Sequence, residues 1–410
     1  MSAARLSGST TLLVTVTGRD RPGVTSKLFA ALGRHPVDVL DIEQVVVRGR
    51  LVLGVLVTAM PDDSQLRADL QHAAGSLGLE IEIAPGGNER RPAGDRAHVT
   101  VLGHPLRPAP VAAIAQRIAR LGANIDRIVR LASYPVTSIE LEVSGTEPVT
   151  LQRELAAEAV SQGIDLAVQP AGLSRRAKRL IVMDVDSTLV QGEVIEMLAE
   201  RAGVRGEVAE VTAAAMRGEL DFADALRHRV RLLAGLPVTT LAEIGEQVAL
   251  APGARTLVRT LKRLDYRLAI VSGGFTQITD HLVRELGIDY AAANTVQVAD
   301  GRLTGDLIEP ILDRAGKAAA LTRFAEQAGV PLAQTVAVGD GANDLDMIAR
   351  AGLGVAFNAK PLVRDAADAA VSVPYLDTVL YLLGISREDI ELADAADGAP
   401  TPAPWVPPSA

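Results

Sequence analysis

Two acids one residue apart close the apolar run in IVMDVDSTLV, residues 181–190: Asp184 and Asp186. A lone carboxylate losing its water costs several kcal/mol, roughly, so the pair calls for either a solvated turn or a partner that offsets its charge. Three more polar clusters end or follow apolar stretches further on. RLAIV leads into SGGF, where Ser272, Gly273 and Gly274 offer backbone that can approach an anion closely and N–H groups that point at it where a helix begins. Lys317 opens a helical pattern in RAGKAAAL, and TVAVGDGANDLDM carries Asp340, Asn343 and Asp344. Taken singly, these are a turn, a surface lysine and a polar loop. In a parallel sheet every strand C-terminus lies on one edge, so clusters far apart in sequence can meet in one crevice.

The elements around them have the pattern of such a sheet. RLIVM, RLAIVS, TVAVG, GVAF and AVSV are continuously apolar and mostly separated by helical spacing, as in strands buried on both faces. One interval breaks the rhythm. About 80 residues separate Thr188 from Leu268, too many for a crossover, and EVIEMLAERAG, VAEVTAAAMRGE and FADALRHRVRLLAGL within it have helical spacing. We read a helical cap, about 192–250, inserted into a domain spanning 180–386.

Before residue 172 the chain states one order twice. TLLVTVTG, VTSKLFAALGRH, DVLDIEQVVV, LVLGVLVTA, a helix over 64–77 and EIEIA give β-α-β-β-α-β. HVTVLG, PVAAIAQRIARLG, NIDRIVRLA, SIELEVSG, VTLQRELAAEAVSQG and DLAVQP repeat it. Two tandem ferredoxin-like modules follow, 9–87 and 96–171. The basic connection GLSRRAKR, 172–179, is expected to be solvated. The stretch 387–410, rich in Pro and Ala towards its end and containing Trp405, is expected to be a disordered tail.

Composition bounds the rest. The formal charge of -9 gives no basic footprint for nucleic acid. The absence of cysteine excludes disulfides, thiolate nucleophiles and zinc–thiolate sites. Neither a long apolar N-terminal region nor a spanning run is present, so a cytoplasmic protein without a membrane partner is expected.

An apolar strand followed by DxDST, another by SGG, then a lysine, then a strand followed by GDGxND, with a cap in the first gap, resembles the haloacid dehalogenase superfamily of phosphotransferases. The resemblance implies a Rossmann-like α/β fold and chemistry on a phosphomonoester, whose dianion repels an anionic nucleophile unless cations neutralise the site. It implies Asp184 as the nucleophile forming an aspartyl-phosphate, and Asp186 as general acid and base. Mg²⁺, which suits hard oxygen ligands, would be bound by Asp184, Asp340 and the backbone carbonyl of Asp186. Lys317, Ser272, Gly273 and Asn343 would contact the phosphate, and Asp344 would orient the site.

The cap stretches LVQGEVIEMLAERAGV, AAAMRGELDF and ALRHRVRLLAGLP are similar to those of the phosphoserine phosphatase family within that superfamily. Carried over position by position, this implies Glu193 on a substrate ammonium, Arg229 on its carboxylate, and Met216 with Phe222 closing over them. Each also has a plain structural reading as a helix-start acid, a solvated arginine or cap core. The expected substrate is O-phospho-L-serine and the product L-serine; another small phosphorylated amino acid remains an alternative, as does an amino-acid sensor with a scaffold domain. The two N-terminal modules resemble ACT domains, which bind amino acids, often between copies. In GRDRPGVTSKLFAAL the resemblance places Gly18 near a regulatory ligand. The second module has GHPLRPAPVAAI instead and carries over only Gly103. A homodimer or higher homo-oligomer is implied, with L-serine as a candidate effector.

Overall fold

The computed structural model describes residues 11–86, 95–172, 175, 177–217 and 219–398, with the Met216 side chain outside that set. It divides at residue 93 into two compact units.

The first unit is a four-stranded antiparallel sheet under two helices. Its elements are β1 (Thr11–Arg19), α1 (Val24–Leu32), β2 (Val39–Val47), β3 (Arg50–Thr58), α2 (Ser64–Ser76) and β4 (Glu80–Gly86), with sheet order β2-β3-β1-β4. Alternation puts Val14 and Val16 of β1 and Leu53, Val55 and Val57 of β3 on one face, against Leu28 and Leu32 of α1 and Leu66 and Leu70 of α2. The register sets Val14 opposite Val55. All nine residues of the edge strand β2 are exposed.

The second unit begins with the second βαββαβ module: β5 (Arg96–Gly103), α3 (Pro108–Arg120), β6 (Asn124–Ala132), β7 (Thr137–Ser144), α4 (Pro148–Gln162) and β8 (Asp165–Pro170). Val99, Val101, Leu141, Val143 and Val168 pack beneath Ile114, Ile118, Leu151 and Leu155 of its helices. The catalytic-type domain follows with β9 (Leu180–Asp184) and four cap helices, α5 (Val194–Ala202), α6 (Arg205–Met216), α7 (Phe222–Leu232) and α8 (Thr239–Gln247). It continues through α9 (Ala254–Arg263), β10 (Arg267–Phe275), α10 (Thr276–Leu286), β11 (Tyr290–Ala299), β12 (Arg302–Ile308) and α11 (Arg314–Ala328). The last elements are β13 (Thr335–Gly339), α12 (Leu345–Arg350), β14 (Gly354–Phe357), α13 (Pro361–Ala366), β15 (Ala369–Val371), α14 (Val379–Leu382) and α15 (Arg387–Ala396).

One sheet runs through the whole second unit, in the order β12-β11-β10-β9-β13-β14-β15-β8-β5-β7-β6. Strands β11, β10, β9, β13, β14 and β15 are parallel, which places the ends of β9, β10 and β13 on one edge. The module joins antiparallel where Ala167 of β8 meets Ala369 of β15. Part of its sheet face away from α3 and α4 is covered as well. Leu102 and Ala167 belong to the same core as Tyr381 and Leu382, and Gln169 Nε2 donates to the Leu382 carbonyl at 2.6 Å. Among the described residues, no helix is long and apolar enough to cross a membrane.

Two expectations are corrected. Within the connection expected to be solvated, Arg175 and Lys178 are buried. Arg175 forms an ion pair with Glu140 on β7, and Lys178 Nζ donates to the carbonyls of Ala333 and Gly352 at 2.7 and 2.6 Å. Basic character there serves buried acceptors, which a local composition cannot reveal. The disordered tail expected from 387 is helical over α15, started by a capping box in which Ser386 and Asp389 hold each other's backbone N–H. Asp394 on that helix is fully buried between Arg259 and Arg263 of α9. Residues 399–410, including Trp405, lie outside the described residues.

Candidate active site

At the end of β9 the chain leaves the sheet through an irregular turn, Val185–Leu189, in which Ser187 takes φ of 59°. This turn aims the two acids differently. Asp184 stays over the strand end, 4% exposed. The Asp186 side chain swings towards the cap, where Oδ1 accepts from the Val194 N–H at the start of α5 (2.9 Å) and Oδ2 from the Ser272 hydroxyl (3.0 Å). Ser272 is fixed in turn by the Gly274 N–H, 2.8 Å away. A side chain at either glycine would be crowded: a Cβ on Gly274 would lie 2.9 Å from Ser272 Oγ, and one on Gly273 would lie 3.1 Å from Phe222 Cζ of the cap.

Lys317 arrives from the first turn of α11, where Asp313 caps the helix by accepting from the Gly316 N–H. Its ammonium is wholly buried and donates to Asp184 Oδ1 at 2.7 Å and Asp344 Oδ1 at 2.8 Å. Asp344 spends its other oxygen on the Gly341 N–H, 3.0 Å. Asp340 accepts from the Thr188 hydroxyl at 3.0 Å. Carboxylate oxygens of Asp184, Asp340 and Asp344 all lie within 4.8 Å of one another.

Three acids crowd the buried Lys317 ammonium, and the crowding shifts the pKa of Asp184, Asp340 and Lys317. Burial, then the charge of Asp344, pushes the Asp184 carboxyl well above the usual range despite Lys317. The same two causes push Asp340 up to about 6. Lys317 is held in its charged form: burial opposes the charge, but Asp184 and Asp344 outweigh it and raise its pKa. The donor set, hard carboxylate oxygens with a net negative charge, fits a divalent cation such as Mg²⁺. Asp344 accepts at both oxygens, whereas Asp184 and Asp340 accept at Oδ1, so these two could each offer an oxygen to such a cation.

The acids open into a cavity of about 600 Å³. Asp184, Asp186, Gly273, Gly274, Asp340 and Asn343 form its floor, while Glu193, Phe222 and Arg229 line it from the cap. Burial, then Asp186 and Asp340, raises Glu193 to about 7. Burial lowers Arg229, with Glu193 opposing. These two groups thus face the cavity as an unlike pair, suited to a zwitterionic headgroup. Ser272, Lys317 and Asp344 stand behind the floor, and the Met216 side chain lies outside the described residues. Thr188, which holds Asp340, has its signal within DVDST itself. Arg314, Lys360 and Leu362 also stand on the cavity wall, and no local pattern marks them.

The two loop glycines have packing reasons of their own. A Cβ at Gly18 would come within 2.5 Å of Leu79 Cδ2, and one at Gly103 within 2.8 Å of Leu106 Cα.

The haloacid dehalogenase-like hydrolase model matches residues 181–349, and ACT-domain models match 10–84 and 96–169. Fold and site therefore define a haloacid dehalogenase-like hydrolase carrying two ACT domains. A phosphoserine phosphatase of Streptomyces coelicolor is 60% identical over 397 residues, covering 96% of this chain and 97% of the relative. One from Mycobacterium tuberculosis is 53% identical over 394 residues, covering 94% and 96%. Among solved structures, the probable phosphoserine phosphatase of Vibrio cholerae in unliganded form matches with a TM-score of 0.57 at 34% identity, covering 77% of this chain and 91% of that one. The chain belongs to the phosphoserine phosphatase family.

Proposed function

We propose that this chain is a cytoplasmic, Mg²⁺-dependent enzyme that hydrolyses O-phospho-L-serine to L-serine and phosphate, as the last step of serine formation. The observation that carries the reading is the single cavity that joins Asp184 and Asp186 on its floor to Glu193 and Arg229 on its roof. Asp184, Asp340 and the Asp186 backbone carbonyl would hold Mg²⁺, which supplies neutralising charge for the phosphate dianion and its attacker.

Asp184 attacks phosphorus, and the bond from phosphorus to the serine oxygen breaks. Asp186, steered by Val194 N–H and Ser272, gives its proton to the leaving alkoxide, producing serine and an aspartyl-phosphate. Asp186 then takes a proton from water as that water attacks phosphorus, releasing phosphate and restoring Asp184. Lys317 holds the nucleophile in place and balances phosphate charge; Asp344 holds Lys317. Gly273 and Asn343 on the floor contact the phosphate oxygens, and Ser272 would join them once its hydroxyl turns from Asp186. Glu193 meets the substrate ammonium, which restores the acid's charge, and Arg229 meets the carboxylate. Phe222 closes the roof.

The ACT domains support an amino-acid effector, L-serine being the first to test, and assembly into a homodimer or higher oligomer. The test of the catalytic reading is phosphate release from a panel of phosphorylated amino acids and sugars, with Mg²⁺ and with EDTA. O-phospho-L-serine should be the best substrate and EDTA should abolish turnover. A sugar phosphate hydrolysed as well, or full activity in EDTA, would overturn it.

A further inference from the structure

The second ACT domain reaches the substrate cavity through one short segment. Lys360, Leu362 and Val363, at the start of α13, form a wall of that cavity. Val363 is also buried against Ile348 of α12 and Ala356 of β14, with Leu345 beside them, so the wall is packed onto the helix that follows Asn343 and Asp344. Within the segment, Asp368 Oδ2 accepts from the Gly354 N–H at 2.7 Å. β15 pairs with β14 on one side, and further ties run to the ACT domain. Asp165, the first residue of β8, is 5% exposed. Its Oδ2 accepts from the Ser372 N–H at 2.6 Å, and its Oδ1 lies 3.6 Å from Arg364 of α13. Gln152 of α4 donates to the Asp368 carbonyl at 3.3 Å, and Ala167 pairs with Ala369.

We propose that Asp165 is a positioning residue for the catalytic reaction: it sets the α13 wall of the substrate cavity from within the second ACT domain. A carboxylate taken out of water at a domain junction is costly unless it is bonded. Both of its partners here belong to the 358–372 segment, one on each side of β15, so the acid clamps the wall element at two points. Through this clamp the ACT domain bears on how tightly the cavity grips its substrate, while the acids that carry the bond-making steps, Asp184 and Asp186, sit at the end of β9 and in the turn after it, outside the clamp.

The proposal rests on the reading of the cavity as a phosphoserine site, and the experiment separates the two. Asp165→Ala and Asp165→Asn are compared with the full-length parent and with Asp394→Asn, a buried acid of α15 paired with Arg259 and Arg263 of α9. Asp165→Ala should raise KM for O-phospho-L-serine about five- to tenfold with kcat within about twofold. Asp165→Asn, which keeps an acceptor for Ser372, should recover most of that loss. Amide hydrogen exchange across 358–372 should rise in Asp165→Ala and stay at the parental level in Asp394→Asn, even though both lower Tm. If Asp165→Ala does not fold, Gln152→Ala and Asp165→Asn supply the same readings at smaller amplitude. A lowered Tm with unchanged KM and unchanged exchange in 358–372 would overturn the proposal. Parent protein inactive on O-phospho-L-serine would refute the substrate reading alone, since the exchange comparison still decides the clamp.

Discussion

The two ACT domains share an element order and differ in what their sheets do. In the first, the sheet is complete in four strands, and the outer strand β2 shows solvent nine exposed residues. In the second, the sheet is one end of an eleven-stranded sheet, and the part of its face that carries Leu102 and Ala167 is buried in the catalytic core. Similar local sequence patterns thus give a separable module in one case and a structural part of the enzyme in the other. The difference lies in a handful of positions. His98, Thr100 and Glu140 put polar side chains on the buried face, where Glu140 finds His98 and Arg175, and small residues at 167 and 369 let two strands meet.

The largest expected effect comes from cutting the chain at each boundary. Removal of residues 1–93 should leave a folded enzyme whose specific activity stays within about twofold, because the remaining unit has its own core. Removal of 1–171 strips the covering from β15, Tyr381 and Leu382 and should yield a protein that aggregates or melts more than about 10 °C lower. Thermal unfolding and soluble yield check both. Equal behaviour of the two truncations would erase the contrast between the domains.

Next is Asp184→Asn, which replaces the attacking oxygen anion with an amide. Turnover should fall by about a thousandfold or more, with both ACT domains as stable as before. Retained activity in steady-state assays would remove the nucleophile from Asp184 and with it the assignment of chemistry to the strand edge.

Much of this architecture was legible before the structure, for a physical reason: apolar runs and period 3.6 are local signals, and buried parallel strands carry them strongly. The candidate site was legible because acids and glycines that follow apolar strands, with a lysine opening a helix, occur in one order that resembles a known superfamily. Two missed features had signals too. Asp300-Gly301, both at positive φ, joins β11 to β12 as a two-residue hairpin turn, and Ser386 with Asp389 announces α15. Others had none. The burial of Arg175 depends on Glu140, 35 residues earlier, and the Ala167–Ala369 pairing depends on alanines that carry no directional information. Lys360 and Leu362 become cavity residues only when β14 and α13 are placed.

A smaller effect tests the interface of the second domain directly. Glu140→Ala leaves Arg175 buried without its carboxylate, which costs about 3–5 kcal/mol by the usual range for breaking a buried pair. Denaturant melts of the full chain should show that loss in the transition of the second unit alone. Loss of less than about 1 kcal/mol would mean that water reaches Arg175 and that the face is less closed than the packing shows.

The smallest effect belongs to the first domain, on β2. Val46 on that strand is 44% exposed and sits across from Leu51 in the β2–β3 register. Threonine keeps the β-branched shape and the strand preference of valine, and solvent can satisfy its hydroxyl. Val46→Thr should therefore change unfolding free energy by no more than about 0.5 kcal/mol, the usual size for a surface substitution. The same exchange at Val101, buried under Ile114 and Ile118 in the second domain, puts a hydroxyl into an apolar core and should cost about 1–3 kcal/mol. Urea titrations of both variants, each at two protein concentrations, measure the contrast. A large loss at Val46 that fades on dilution would show β2 covered by another copy in solution, and the first domain would then owe its stability to a partner as the second owes its own to the catalytic core.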